Sequence, residues 1–174
     1  MDFNILERNH IYSGRVFNIE LVRIKMPNGK IKNYDLVNHA PAVTIIPLDK
    51  YDNLYFVRQY RLGALSELIE FPAGVIEDNE SPESSANREL REEIGLAAKK
   101  LINVGQFYLA PGYSTELMYV FLARDLYEAP LKPDPDEFIK IIKIHKSDIN
   151  HYVSSGNLID AKSLSALYLA ASFF

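Results

Sequence analysis

Three glutamates within one and a half helical turns, Glu89, Glu92 and Glu93, are the residues of this chain best suited to chemistry. They close a stretch, Glu77 to Glu93, that holds seven acids and two bases, Arg88 and Arg91, and so carries a formal −5 in a chain of net charge −4. The acidity of the protein is therefore one local feature. Like charges four apart on a helix cost about 0.2–0.5 kcal/mol per pair. These also sit toward a helix C-terminus, where the macrodipole disfavours anions. Two readings answer this tension: a solvated helix face, or carboxylates gathered around a cation. In the second, hard oxygen ligands suit Mg²⁺, Mn²⁺ or Ca²⁺ rather than zinc. Mg²⁺ keeps several waters and meets its partner through phosphate oxygens, so an acidic helix without histidines points to phosphate chemistry.

The elements that must position these acids are legible around them. Ser81 is a good N-cap, Pro82 fits the first helical position, and Gly95 stands just past the end, so a helix is expected from Pro82 to Ile94. At about 100° per residue, Ala86, Leu90 and Ile94 share one stripe that docks on a sheet. Glu89 and Glu93 then lie side by side along its edge, Glu92 falls on the polar side, and Arg88 can pair with Glu92.

Before the helix, Val22, Ile24 and Met26 alternate with Arg23 and Lys25 as in a half-buried strand. Asn28-Gly29 signals a two-residue hairpin, with a return strand from Ile31 to Val37. Further strands are expected at Val43 to Leu48, Leu54 to Tyr60 and Glu67 to Phe71, the last ended by Pro72-Ala73-Gly74. After the helix come strands at Leu101 to Leu109, Leu117 to Ala123 and Phe138 to Ile144. A last helix, capped by Asp160, carries Leu164, Leu167, Tyr168 and Ala171 at helical spacing. The order of strands, helix, strands, helix indicates an α+β or mixed α/β layered fold.

Composition narrows the class. A chain of 174 residues, 48% apolar and 24% charged, suits one domain with a small appendage. With no cysteine, disulfide scaffolds, thiolate zinc sites and cysteine nucleophiles are excluded, and a reducing cytoplasm is expected. No secretory signal or membrane span is expected, and without a basic stripe neither is a nucleic-acid partner. The four histidines show no HExxH spacing, and neither GxSxG nor a P-loop occurs.

The surroundings of the acidic helix decide between its two readings. Gly74, Glu80, Arg88, Glu89, Leu90, Glu92, Glu93, Gly95 and Leu96 fill, without a gap, the nine fixed or class-restricted positions of a 23-residue signature. GVIEDNESPESSANRELREEIGL thus resembles the Nudix box, Gx5Ex7REUxEExGU with U apolar. The resemblance implies the Nudix fold, a mixed β-sheet between helices, and hydrolysis of a nucleoside diphosphate linked to another moiety. It implies that Glu89, Glu92 and Glu93 bind metal and that Arg88 orients a glutamate.

Beyond the box, VRQYR (Val57 to Arg61), IEFPAG (Ile69 to Gly74) and APGYSTE (Ala110 to Glu116) are similar to segments of ADP-ribose pyrophosphatases. Pro111 falls fifteen residues past Leu96, as in that subfamily, and GNLIDAKSLSAL (Gly156 to Leu167) resembles its last helix. GDP-mannose and other sugar-nucleotide hydrolases share several of these marks. The resemblance implies that Ala73 offers its carbonyl to a metal, with Glu89 and Glu93 as side-chain ligands and Glu92 as ligand or water-orienting residue. It implies that Arg61 holds a phosphate, that Glu70 sits beside the site, and that Glu116 contacts substrate. Glu137 is the best match for the late catalytic carboxylate, with Asp134 and Asp136 nearby, and the general base stays open among them. Tyr12, Phe17 and Tyr60 are candidates to stack on a base.

The organisation implied is an N-terminal β unit, residues 1–38, for dimerisation and substrate contacts, followed by a hydrolase domain, residues 39–174. The expected activity is Mg²⁺-dependent (Mn²⁺ substituting) cleavage of ADP-ribose or a related nucleoside diphosphate sugar by a cytoplasmic homodimer. Two alternatives are a nucleotide-sugar-binding module without catalysis and a hydrolase that sanitises oxidised nucleoside triphosphates.

Overall fold

A computed structural model describes residues 2–132 and 138–174. Two compact units emerge, one formed by Met1–Pro41 with Tyr108–Leu117, the other by Ala42–Phe107 with Met118–Phe174.

The first unit is an antiparallel meander of β1 (Asn4–Ser13), β2 (Phe17–Lys25) and β3 (Ile31–His39). The expected two-residue hairpin is instead a three-residue loop, Pro27–Gly29. Gly29 N donates to Met26 O at 2.9 Å, and Met26 N to Lys30 O at 2.8 Å. Gly29 takes φ +81°, the left-handed position that such a loop requires. Strand β1 has no clean alternation because its pairing with β2 shifts between Ile5 and Glu7 and again between His10 and Tyr12. Each bulge resets which face the next side chain takes. The 110–116 turn is tied to β3: Val37 N donates to Tyr113 O at 2.7 Å and Thr115 N to Val37 O at 3.0 Å.

The second unit is built around β4 (Ala42–Pro47), buried along its whole length. It lies in the sheet β7-β4-β9-β8, parallel to β9 (Leu117–Glu128) and antiparallel to β7 (Ala73–Val75); β8 spans Leu96–Tyr108. A second sheet orders β10 (Lys140–His145), β5 (Asn53–Arg61) and β6 (Ser66–Glu70), all antiparallel. Period-two alternation sends β4 side chains to opposite faces. Val43 and Ile45, with Phe121 and Ala123 of β9, pack under Ala86, Leu90 and Ile94 of α1 (Pro82–Glu93). Ile46, with Val120 and Leu122, packs toward Ala166 and Ala170 of α3 (Ala161–Ala170). Each large side chain buried this way contributes about 1.5–3 kcal/mol, so the two faces together fix the helices on the sheet. The short helix α2 (Ile149–Ser154) adds Ile149 to the α3-side cluster. This is the expected α+β arrangement of mixed sheet between helices.

Two local expectations are corrected. On α3, Leu164 and Leu167 pack against the core as expected, but the fully buried residues are Ser163, Ala166 and Ala170, whereas Tyr168 is 83% exposed and Ala171 is exposed too. Small residues let this helix approach its sheet, and a stripe drawn through large apolar positions overlooks them. The Pro72-Ala73-Gly74 break also carries a strand, β7, too short for any periodicity to show. Among the described residues, no helix is long and apolar enough to cross a membrane.

Candidate active site

Helix α1 forms where its caps require. Ser81 Oγ accepts from Ser84 N at 3.1 Å, Pro82 opens the helix, and Gly95 leaves it at φ +71°. Burial of Ala86, Leu90 and Ile94 fixes its rotation, and α1 packs on β4 and β7. Glu89 and Glu93 are thereby carried to the rim and covered, with only 8% and 7% of their surface exposed. They are not a solvated face. Charged groups are buried at this depth only with compensation, and strand β7 supplies part of it. Ala73 N donates to Glu93 Oε2 at 3.2 Å. At Gly74 a Cβ would overlap the Glu89 carboxylate. A glycine is required here to clear space for that side chain.

Arg88 supplies the second part of the compensation. Its Nε and Nη2 hold Glu80 at 3.0 and 2.9 Å, and its Nη1 reaches Glu89 at 2.6 Å and Glu92 at 3.0 Å. Nη2 also donates to Val75 O at 3.1 Å, which fastens the helix to β7. The Glu80 hydrogen bonds, reinforced by the Glu89 and Glu92 carboxylates, hold the Arg88 guanidinium well above its ordinary pKa. In return the Arg88 bonds hold the Glu80 carboxyl below the usual carboxylate range. One arginine against Glu80, Glu89, Glu92 and Glu93 still leaves a formal −3, a group with capacity for a cation.

A second group joins the last residue of β5, Arg61, to the last residue of β6, Glu70. Arg61 Nε and Nη2 grip Glu70 at 2.8 and 2.7 Å, and Lys162 Nζ donates to Glu70 Oε2 at 3.0 Å. Glu70 is fully buried. The Glu70 hydrogen bonds raise the pKa of Arg61 against the opposing cost of burial, and the charges of Glu93 and Asp160 add to the effect. Arg61 therefore stands within electrostatic reach of Glu93 on α1. The side chain of Arg61 is 40% exposed, and its Nη1 has no protein partner among the described residues.

The corner between these groups is pinned residue by residue. Phe71 N donates to Ser163 Oγ at 2.8 Å, Ile45 N to Pro72 O at 2.8 Å, and Ala73 N to Glu93. Asp160 caps α3 through Ser163 N at 2.9 Å and accepts from Lys162 Nζ at 2.7 Å.

Of the residues expected from sequence, Arg61, Glu70, Ala73, Arg88, Glu89, Glu92 and Glu93 come together in the second unit. Glu116 belongs to the first, where its N donates to Ser114 Oγ at 3.2 Å. Glu137, with Asp134 and Asp136, lies outside the described residues. Tyr12, Phe17 and Tyr60 are all exposed. Lys162 and Ser163 went unforeseen: their partners Glu70 and Phe71 are 92 residues away, and no local pattern links them. A separate concavity of about 520 Å³, lined by Leu48, Tyr51, Tyr55, Leu96, Arg124 and Tyr127, shares no residue with the carboxylates.

The donor set can be tested against a divalent ion. Among the described residues, no group of three or more His, Asp or Glu side chains is arranged to hold a metal ion. Two carboxylates held against the main chain of β7, Glu93 at Ala73 and Glu89 at Gly74, suit a hard cation that completes its sphere with water and phosphate oxygens. The cradle that Gly74 leaves open for Glu89 is consistent with that use.

A buried glutamate pair on a helix, set against a glycine-cleared strand of a mixed sheet between helices, is the architecture of Nudix proteins. The chain belongs to that family, since the NUDIX domain model matches residues 38–159. It is 34% identical over 164 residues to the ADP-ribose pyrophosphatase of Bacillus subtilis (strain 168), spanning 93% of this chain and 89% of that protein. It is 29% identical, with the same shares, to the methanol dehydrogenase activator of Bacillus methanolicus. A crystal structure of an ADP compounds hydrolase superposes with a TM-score of 0.89 at 28% identity, covering 99% of this chain and 94% of that one.

Proposed function

We propose that the protein hydrolyses the pyrophosphate bond of ADP-ribose or a related nucleoside diphosphate sugar, giving a nucleoside monophosphate and a sugar phosphate. The observation that carries this is the burial of Glu89 and Glu93 against Gly74 and the Ala73 peptide, beside Arg61. The similarity to an ADP-ribose pyrophosphatase and an ADP compounds hydrolase supports the substrate class.

Nudix hydrolases generally need divalent metals, and Mg²⁺, with Mn²⁺ as substitute, fits this oxygen donor set. Glu89, Glu93 and the Ala73 carbonyl would hold the ion, with Glu92 as ligand or water-orienting group. Bound there, the ion supplies charge neutralisation for the diphosphate and acidification of water. Arg88 orients Glu89 and Glu92 through its Nη1 hydrogen bonds. Arg61 binds a phosphate oxygen through its outward Nη1 and stabilises the charge that develops during cleavage. Glu70 fixes the arginine, and Glu116 contacts substrate. Glu137 accepts the proton of the attacking water. Water adds across the P–O–P bridge, so ADP-ribose yields AMP and ribose 5-phosphate.

Residues 1–38 serve dimerisation and substrate contacts in this reading, and residues 39–174 form the hydrolase domain. Exposed Ile5, Leu6, Ile11 and Tyr12 on the N-terminal sheet favour a homodimer, and the absence of cysteine suits the cytoplasm.

A substrate panel with Mg²⁺ tests the assignment. ADP-ribose, ADP-glucose, GDP-mannose and nucleoside triphosphates are incubated with the protein, and released phosphates are read after phosphatase coupling. Turnover of a diphosphate sugar above the triphosphates is expected. No release from any diphosphate sugar overturns it.

A further inference from the structure

We infer that Lys162 is a positioning residue that sets how much charge Arg61 offers to the substrate, acting through the buried Glu70 carboxylate. The inference rests on the diphosphate-sugar reading above. Arg61 and Lys162 share one oxygen of Glu70: Arg61 Nη2 lies 2.7 Å and Lys162 Nζ 3.0 Å from Oε2. Lys162 Nζ also donates to Asp160 Oδ1 at 2.7 Å. Two cations and two carboxylates thus alternate, and their sum is neutral.

Without Lys162, the fields of Glu70 and Asp160 both fall on Arg61, and Oε2 is left to the arginine alone. Both changes oppose an incoming anion. Arg61 is held harder by protein carboxylates, and the cluster facing the diphosphate turns negative. The two cations differ in exposure in the sense this division of labour needs. Arg61 keeps 40% of its side chain exposed and Lys162 only 15%. The outward cation meets the phosphate, and the covered one balances the acids behind it.

Removal of the Lys162 charge need not disturb the corner. The α3 cap runs from Asp160 Oδ2 to Ser163, and the bond that pins Phe71 ends on Ser163 Oγ. Neither uses Nζ. A merely structural lysine would lower thermal stability and the active fraction without moving KM.

The test measures wild type, Lys162→Met and Lys162→Arg. ADP-ribose binding is read by calorimetry in EDTA, and KM and kcat are read with Mg²⁺. In Lys162→Met, Kd and KM are expected to rise about tenfold, the size of one net charge acting at short range. The change in kcat is expected to stay under about threefold. Lys162→Arg restores the charge and is expected to return Kd to within about threefold of wild type. If Lys162→Met fails to fold by circular dichroism, Lys162→Gln replaces it with the same expectations. Unchanged Kd and KM in the uncharged variant, or an arginine variant as weak as the methionine one, overturns the role. A wild type that neither binds nor cleaves ADP-ribose instead overturns the function and takes this inference with it.

Discussion

Replacing Gly74 with alanine separates site geometry from fold stability. Gly74 does not adopt positive φ, so an alanine is free of backbone strain there. Its methyl, however, points into the Glu89 carboxylate, and even the farther oxygen, Oε2, would lie only 2.6 Å away. Ordinary contact begins near 3.4 Å, so the carboxylate must retreat by about 0.8 Å at least, and its nearer oxygen by more. Misplacing a reacting group by about 1 Å costs roughly a hundredfold in rate. Stability changes less. Gly→Ala gains about 0.4–1 kcal/mol by restricting the unfolded chain. Disturbing the 2.6 Å bond from Arg88 to Glu89 costs about 1–3 kcal/mol. Gly74→Ala is therefore expected to lose about two orders of magnitude in kcat on ADP-ribose at saturating Mg²⁺. Its Tm should fall by less than about 8 °C in a calorimetric scan. A variant within about threefold of wild-type kcat would falsify the requirement for an open Gly74 cradle.

Arg88→Met strands Glu80, Glu89 and Glu92, and is expected to destabilise by about 2 kcal/mol, below the loss for fully buried pairs because these groups are partly exposed. The Glu80 carboxyl is held below its ordinary 4.5 by Arg88. Its contribution is thus complete above about pH 4.5 and lost as pH falls through the depressed folded value. In urea denaturation the gap between wild type and Arg88→Met should be flat near neutrality and narrow on acidification; a gap that widens at low pH contradicts the pairing. Ser163→Ala leaves the buried Phe71 N–H without its acceptor and should cost about 1–3 kcal/mol by the same assay; no loss would show that the corner is held otherwise.

How much of this was legible in the sequence varied with the range of the interaction. Helix α1 was readable because its caps and its Ala86, Leu90 and Ile94 stripe are local, and the same stripe placed Glu89 and Glu93 at its edge. Strand β8 begins at Leu96 rather than Leu101, since the Ala97-Ala98-Lys99-Lys100 run has no strand-like alternation. The two bulges hid β1 in the same way. Sequence spacing could not show that Glu89 and Glu93 are buried, because their cover comes from β7, a strand of three residues. Nor could it show that Arg61 and Lys162 share one oxygen of Glu70, a contact made only when α3 folds back beside β6.

The most direct measurement is AMP release from ADP-ribose as a function of Mg²⁺ for wild type and Glu93→Gln. Glutamine keeps an acceptor for the Ala73 N–H, so the fold should persist by circular dichroism. Wild type is expected to show saturable dependence on Mg²⁺ that EDTA abolishes. Glu93→Gln is expected to lose at least about a hundredfold in rate and to need more metal. AMP release indifferent to metal, or an equally active Glu93→Gln, would contradict a divalent ion held by these glutamates against the diphosphate.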